Sequence, residues 1–172
     1  MLFRSGKVNS ILEEQMKVGI ADYKIGTSPQ KLITLGLGSC VGIALYDKVK
    51  KVGGLSHIML PDSTAFHRDV KEEKFADTAI PKMIRELCGG SLNTRNLVAK
   101  IAGGASMFKF PDKKMTSDIG RRNVEAVEKV LSELGIPILA SHTGGSVGRT
   151  MVVDLETFLV DIRTASKSIT VL

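Results

Sequence analysis

Apolar and small residues alternate with polar ones over much of residues 16–60, and this alternation is typical of β-strands. The longest apolar run, residues 32–46, contains three glycines and is too short to cross a bilayer, so it predicts two adjoining strands. A further strand is predicted at residues 51–60. It ends at Pro61, because proline cannot donate to a β-ladder.

Residues 1–15 lack this alternation and are polar and mixed. Asn9 or Ser10 is of the type that caps a helix, so the segment is predicted to be an N-terminal extension with a short helix that ends at Gln15. It contains no basic stretch followed by an apolar core and a cleavage site. We therefore expect no export signal and a cytoplasmic protein.

Two helices are predicted from apolar residues at helical spacing. The first ends at the glycine pair of residues 89–90 and contains Pro81, whose missing amide predicts a kink or a local break. The second begins with a cap at Ser117 or Asp118 and ends at Gly135. The apolar stripes are Ala76, Ala79, Ile80, Met83, Ile84 and Leu87 in the first helix and Val124, Val127, Leu131 and Leu134 in the second.

The strand pattern returns between and after the helices, at residues 96–102, 136–140, 150–155 and 158–162. The glycine-rich segment SHTGGSVGR lies between the second and third of these and predicts a hairpin that pairs them. Strands with two interspersed helices predict an α/β or α+β layered domain. No repeat or linker divides the chain.

Composition narrows the class of protein. The chain has 172 residues, of which 43% are hydrophobic, so it can bury a core of its own. A formal net charge of +6 favours acidic partners, but aromatic residues make up only 5% and no nucleic-acid-binding signature is visible, so nucleic acid is a weak option. The two cysteines have no metal-binding spacing and are expected to be free thiols in a reducing compartment.

Cys40 is the first candidate for chemistry. It follows Gly36, Gly38 and Ser39, residues that allow a sharp turn and expose backbone amides able to hold an oxyanion. A thiol attacks as the thiolate, so it needs a neighbouring base or cation that lowers its pKa. His57 is the strongest candidate base, because it lies on the strand predicted to run antiparallel beside the one that starts at Cys40.

Other interpretations of the cysteines and histidines stay open. His67 lies in a polar connection and is predicted to be solvated, while His142 lies beside the hairpin glycines, either at the surface or lining a cleft. Cys88 lies on the apolar stripe of the first helix, where a free cysteine usually packs as a small hydrophobe. Cys40 and His57 could equally be core residues without chemistry, and spacing alone does not decide between the two.

Segments spread over most of the chain resemble the CheD family of chemoreceptor glutamine deamidases. In order, they are TLGLGSCVGIALYD, GGLSHIMLPDS, FADTAIPKMI, KIAGGASMF, IGRRNVEAV and GGSVGRTMVVD. The resemblance extends from Met16 to Asp154. It implies a three-layer α/β sandwich of mixed β-sheets with two main helices, in a single deamidase-like domain that spans residues 16–172.

The resemblance also implies a site and a reaction. It places a Cys-His-Thr triad at Cys40, His57 and Thr34, with turn amides at Gly38 and Ser39. The reaction converts selected glutamines of methyl-accepting chemotaxis receptors to glutamate, without a metal or an organic cofactor.

The same resemblance implies partners. It adds a CheC-type phosphatase to the receptors, and it gives no reason to expect nucleic acid or direct membrane insertion. Relatives commonly have an acidic residue before the turn glycines, whereas this chain has His142. A different class of function also stays open: a binding module that regulates a CheC-type phosphatase or a receptor array, in which the thiol is vestigial.

Overall fold

The structure is a computed structural model that describes residues 15–68, 70–107 and 118–172. Its helices are α1 (Ala76–Leu87) and α2 (Ile119–Glu133), and 3₁₀ turns lie at Ser63–Ala65 and Glu72–Lys74. The strands are β1 (Gln15–Val18), β2 (Asp22–Thr27), β3 (Lys31–Leu37), β4 (Val41–Asp47), β5 (Val52–Ile58), β6 (Leu97–Gly103), β7 (Ile138–Thr143), β8 (Arg149–Asp154), β9 (Val160–Thr164) and β10 (Ile169–Val171).

The strands form two five-stranded mixed sheets. Sheet I has the order β1-β3-β8-β9-β10, and sheet II has the order β2-β5-β4-β6-β7. The parallel pairs are β1–β3 in sheet I and β6–β7 in sheet II, and the other neighbours are antiparallel. Because β3 belongs to sheet I and β4 to sheet II, the turn at residues 38–40 carries the chain from one sheet to the other.

The two sheets pack face to face, and both helices cover the outer face of sheet II. Buried side chains between the sheets include Leu32, Met151 and Ile162 from sheet I and Ala44, Leu55 and Val98 from sheet II. Those between sheet II and the helices include Ile43, Leu45, Ile101, Ile80, Met83 and Val127. Strands β4 and β6 are covered on both faces and are buried at every residue. The predicted three-layer sandwich with two helices is confirmed.

The predicted hairpin between residues 136–140 and 150–155 is wrong. Strand β7 pairs with β6 in sheet II, whereas β8 pairs with β3 and β9 in sheet I. The reason is the connection that precedes β7: β6, α2 and β7 form a parallel unit in which the helix makes the crossover. The glycine-rich segment then leads the chain across to sheet I.

Two helix predictions also need correction or fall outside the described residues. Helix α1 continues through Pro81 without a break, because its face is held by packing of buried residues on both sides of the proline, Ala79 and Met83 among them. At the start of α2, Asp118 occupies the cap position but its side chain makes no capping hydrogen bond. Ser117 and the predicted N-terminal helix up to residue 14 lie outside the described residues. Gln15, predicted as the last residue of that helix, is the first residue of β1.

Candidate active site

Cys40 lies where the chain passes from sheet I to sheet II. Strand β3 ends at Leu37, and β4 begins at Val41. Gly36 has a φ of +70°, a left-handed conformation that side chains disfavour, which explains a glycine before the turn. The Cys40 side chain is half-buried and packs against the inter-sheet core.

His57 lies in β5, directly opposite Gly42 of β4. It is 0% exposed, and it shares a strand face with Leu55, which belongs to the inter-sheet core. Cys40 precedes Gly42 by two residues, so its side chain faces the same side of sheet II, diagonal to His57 across the β4–β5 pair. The antiparallel pairing predicted for these two segments is confirmed.

Because Gly42 has no side chain, apolar side chains from other parts of the chain fill the space beside Cys40 and His57. A Cβ built at Gly42 would come within 2.7 Å of Met151 Sδ and 3.2 Å of Leu37 Cδ1. These side chains surround the Cys40–His57 region with apolar atoms. Such surroundings favour the neutral forms of both groups.

Thr34 determines where the proton sits on His57. Its Oγ1 lies 2.7 Å from His57 Nδ1 and donates to the carbonyl oxygen of Val18 at 2.8 Å. Because the single hydroxyl proton goes to a carbonyl that can only accept, Nδ1 must donate its own proton to Oγ1. The neutral ring therefore carries a free lone pair on Nε2. That nitrogen is buried and has no hydrogen-bond partner in the described part of the chain.

Thr34 is positioned by the pairing of β3 with β1, the edge strand of sheet I. The parallel pairing of β1 with β3 puts Val18 opposite Thr34, and Thr34 is fully buried on the face that meets sheet II. The structure therefore brings Thr34 and His57 into contact from different sheets. Cys40 joins them at the end of the turn that links those sheets.

Burial sets the protonation of both reactive groups. Desolvation lowers the pKa of His57 to about 4. Desolvation also raises the pKa of the Cys40 thiol, and a hydrogen bond from the residue's own backbone amide lowers it by less. A neutral thiol thus faces a neutral imidazole at neutral pH. The expectation of a thiol with a lowered pKa is wrong for the free protein, since burial outweighs the stabilising contact.

The carbonyl groups of the turn are held by three donors, which come from two other parts of the chain. Ala105 N donates to Gly38 O at 2.8 Å, Asn123 Nδ2 donates to Ser39 O at 2.9 Å, and Gly104 N donates to Cys40 O at 2.8 Å. Each of these peptide groups is therefore fixed from outside the turn.

The amides of the same turn differ in availability. The Gly38 amide donates to Gly36 O at 3.1 Å, so it is already engaged. Among the described residues, none accepts from the Ser39 amide, and the Cys40 amide has no acceptor other than the thiol of its own residue. These two N–H groups, rather than the predicted Gly38 amide, are available to hold an oxyanion beside the thiol.

Asn123 is a residue of this region that the motifs do not single out. It lies on α2, is 0% exposed, and donates at 2.9 Å to both Ser39 O and Met59 O. Its spacing puts it on the same stripe of α2 as the buried Val127 and Leu131. A polar side chain on a buried helical stripe is the signal that could have identified it, because burial of an amide requires partners.

The remaining histidines and the second cysteine lie elsewhere. His67 is exposed, as predicted. Cys88 packs at the margin of the core under the helices, and its thiol donates to Asn93 O at 3.2 Å. His142 Nδ1 accepts from Arg149 Nε at 2.8 Å.

Two further features of the described residues concern metal binding and membrane spans. Within residues 15–68, 70–107 and 118–172, no group of three or more His, Cys, Asp or Glu side chains could hold a metal ion. In the same residues, neither helix has the length and apolar character needed to cross a bilayer.

Known proteins resemble this chain over most of its length. A family model described as CheD chemotactic sensory transduction matches residues 59–164. A Clostridium novyi protein named "Probable chemoreceptor glutamine deamidase CheD" is 54% identical over 157 residues, which cover 91% of this chain and 97% of that protein. The Clostridium kluyveri protein of the same name is 56% identical over 156 residues, covering 91% and 96% of the two chains.

The two kinds of match cover different parts of the site. The family model begins after His57, whereas an alignment of 157 residues within a chain of 172 necessarily includes residues 34–57. Among solved structures, the crystal structure of Bacillus licheniformis hypothetical protein YfiH gives a TM-score of 0.43 at 15% identity, over 80% of this chain and 67% of that one.

Proposed function

The chain belongs to the CheD family, and from that premise we propose that it deamidates selected glutamines of methyl-accepting chemotaxis receptors to glutamate. The relatives named above are chemoreceptor glutamine deamidases by name, and they are matched over almost their full length. One observation carries the catalytic part of the proposal. Thr34 binds His57 through Nδ1, and this leaves an unprotonated Nε2, with no partner among the described residues, on the face of sheet II that also carries Cys40.

In the first half of the proposed reaction, Cys40 Sγ attacks the carboxamide carbon of a receptor glutamine. His57 Nε2 takes the thiol proton as the carbon–sulfur bond forms. The same proton is then given to the amide nitrogen, the carbon–nitrogen bond breaks and ammonia leaves. The product of this half is a thioester between Cys40 and the receptor side chain.

In the second half, water replaces ammonia. His57 Nε2 takes a proton from the water, whose oxygen attacks the thioester carbon. The carbon–sulfur bond breaks, and the proton returns to the sulfur of Cys40. The receptor leaves with a glutamate, and the protein returns to its starting state.

The amides of Ser39 and Cys40 are proposed to hold the oxyanion that forms in each half. Oxyanion donors act on charge that develops only in the transition state, and the loss of one such donor costs about 3 kcal/mol in other acyl-transfer enzymes. The fixed carbonyls of the turn support this role, because the donors need no reorganisation when the charge appears.

The protonation of the free site predicts a slow enzyme. Burial raises the pKa of the Cys40 thiol and lowers that of His57 to about 4, so complete proton transfer before attack is strongly unfavourable. The proton must therefore move as the sulfur attacks. Thr34 brings no negative charge to stabilise an imidazolium, which also favours modest turnover.

The surface beside the turn supports receptor docking. Leu35, Met107 and Val147 are exposed at 44%, 45% and 49%. Met107 lies next to Gly38, within 3.1 Å of a Cβ built there, so at least part of this apolar surface borders the turn that carries Cys40. The net charge of +6 suits an acidic helical receptor surface.

The proposal is tested by incubating a receptor cytoplasmic fragment with the wild-type protein and with Cys40→Ala. Mass spectrometry of receptor peptides should show glutamine converted to glutamate by the wild-type protein alone. Equal conversion by both proteins would eliminate the thiol mechanism. Conversion by neither, with receptor binding retained in both, would favour the binding-module function.

We also propose a cytoplasmic location and a CheC-type phosphatase as a second partner, both supported by family membership. If that partner binds this chain, Cys40→Ala should leave binding and phosphatase stimulation intact, because the thiol acts only in chemistry. Fractionation of cells and a binding assay with the purified phosphatase test the two statements separately.

A further inference from the structure

Asn123 joins the two segments that carry the nucleophile and the base. Both protons of its side-chain amide are used, one toward Ser39 O and one toward Met59 O. Ser39 directly precedes Cys40, and Met59 follows His57 by two residues. The last pair of the β4–β5 ladder is Val41 with Ile58, so Asn123 bridges the two chains just beyond the point where the ladder stops.

The contact with Ser39 O has a consequence for Cys40. In a trans peptide group the C=O and the next N–H lie in one plane and point in opposite directions. Asn123 lies in the helix layer, so its contact holds the Ser39 carbonyl toward that layer. The Cys40 N–H is thereby directed the other way, toward the inter-sheet side, where the Cys40 side chain packs.

We propose that Asn123 is a positioning residue for catalysis, which aims the Cys40 backbone N–H at the thiol and at the oxyanion that forms beside it. This role rests on the proposed function for its effect on turnover. Among the donors that hold the turn, Ala105 and Gly104 act through backbone amides, so Asn123 is the one that a side-chain substitution removes.

The other polar atom of the Asn123 side chain, Oδ1, supports a role beyond simple packing. Its Oδ1 is buried without a hydrogen-bond partner in the described residues, so the side chain is retained although one of its polar groups is unsatisfied. An apolar residue would fill the same stripe as Val127 and Leu131 without that cost. An apolar residue could not donate hydrogen bonds to Ser39 O and Met59 O.

The test compares Asn123→Ala with Val127→Ala, a matched control on the same buried stripe of α2 that has no polar atom to lose. Both proteins are assayed well below their melting temperatures. Three quantities are measured: melting temperature, kcat and KM for a receptor fragment, and the pH profile of Cys40 alkylation by iodoacetamide. Alkylation is quantified by mass spectrometry on the peptide that contains Cys40, so modification of Cys88 is not counted.

Asn123→Ala should lower kcat by about 100-fold, the loss typical of one oxyanion donor, while KM changes less than about threefold. The alkylation midpoint should rise by about one pH unit, because the thiolate loses a well-aimed donor. Val127→Ala should lower the melting temperature without either change. Equal kcat values and superimposable alkylation profiles for the two variants would overturn the proposal.

A measurement on the wild-type protein keeps the proposal falsifiable if Asn123→Ala does not fold. The Cys40 amide proton should shift downfield in NMR spectra as the thiol is titrated to thiolate, since the N–H is aimed at the sulfur. An amide proton that does not respond to this titration would overturn the proposal. The alkylation and NMR readouts need no receptor, so they decide on Asn123 even if the wild-type protein does not deamidate the fragment.

Discussion

Replacement of Thr34 by valine tests the tautomer of His57 directly. Valine keeps the β-branched shape but removes the oxygen that accepts from Nδ1 at 2.7 Å and donates to Val18 O at 2.8 Å. A lost buried hydrogen bond with its partners left unsatisfied costs about 2 to 4 kcal/mol of unfolding free energy. About 2 kcal/mol of this falls on the preference of the ring for the Nδ1–H form, so the ratio of the Nδ1–H form to the Nε2–H form falls roughly 30-fold.

The assay is kcat for receptor deamidation, with urea unfolding measured in parallel. Thr34→Val should lower kcat at least about twofold, and by up to about 30-fold, the limit set by that change in ratio. Thr34→Ser keeps the hydroxyl and loses only a buried methyl group, so it should lose about 1 kcal/mol of stability and less than about threefold in kcat. If Thr34→Val loses stability but retains more than half of the wild-type kcat, the hydroxyl does not set the tautomer and the reasoning fails.

Further outcomes follow from the same site. Folding lowers the pKa of His57 from 6.5 to about 4, so between these two pH values only the unfolded chain binds the proton. As the pH falls through this range, the wild-type protein should therefore lose about 3 kcal/mol more unfolding free energy than His57→Gln does. An unfolding free energy with the same pH dependence in both proteins would contradict this. Because burial raises the pKa of the Cys40 thiol above its ordinary value, alkylation by iodoacetamide should still be rising with pH above neutrality, and a plateau already reached at neutral pH would contradict it. Gly103→Ala should cost at least about 2 kcal/mol more than Gly89→Ala in urea unfolding. Both glycines have a positive φ, but only at Gly103 would a Cβ collide with the Cys40 carbonyl, and equal costs would refute the close approach.

The periodicity of the sequence predicts the elements better than their pairing. The spacing of apolar residues locates both helices and most strands, because each depends on which side of a local element is buried. The partner of β7 depends instead on the preceding crossover through α2. The glycines before β8 suit a hairpin and a crossing between sheets equally well, so local turn chemistry could not decide which of the two forms.

The residues of the candidate site also differ in how far the sequence predicts them. That Cys40 and His57 lie on one antiparallel pair was predictable, because Cys40 directly precedes β4, His57 lies on β5, and a short connection joins these two strands. Thr34 came from the family resemblance. Asn123 makes its contacts with residues 84 and 64 positions away, which depend on how α2 packs against sheet II. The pKa values of the thiol and the imidazole likewise depend on how sheet I covers them, so the local sequence gave the wrong direction for Cys40.

The thioester on Cys40 is the species that distinguishes the proposed chemistry from every alternative function. Wild-type protein mixed with a receptor fragment and rapidly quenched in acid should carry, by intact-mass spectrometry, an adduct equal to the fragment less ammonia, located on Cys40 by peptide mapping. The adduct should be absent from Cys40→Ala. Conversion of receptor glutamines that proceeds with no adduct in the wild-type protein, and that persists in Cys40→Ala, would contradict the account.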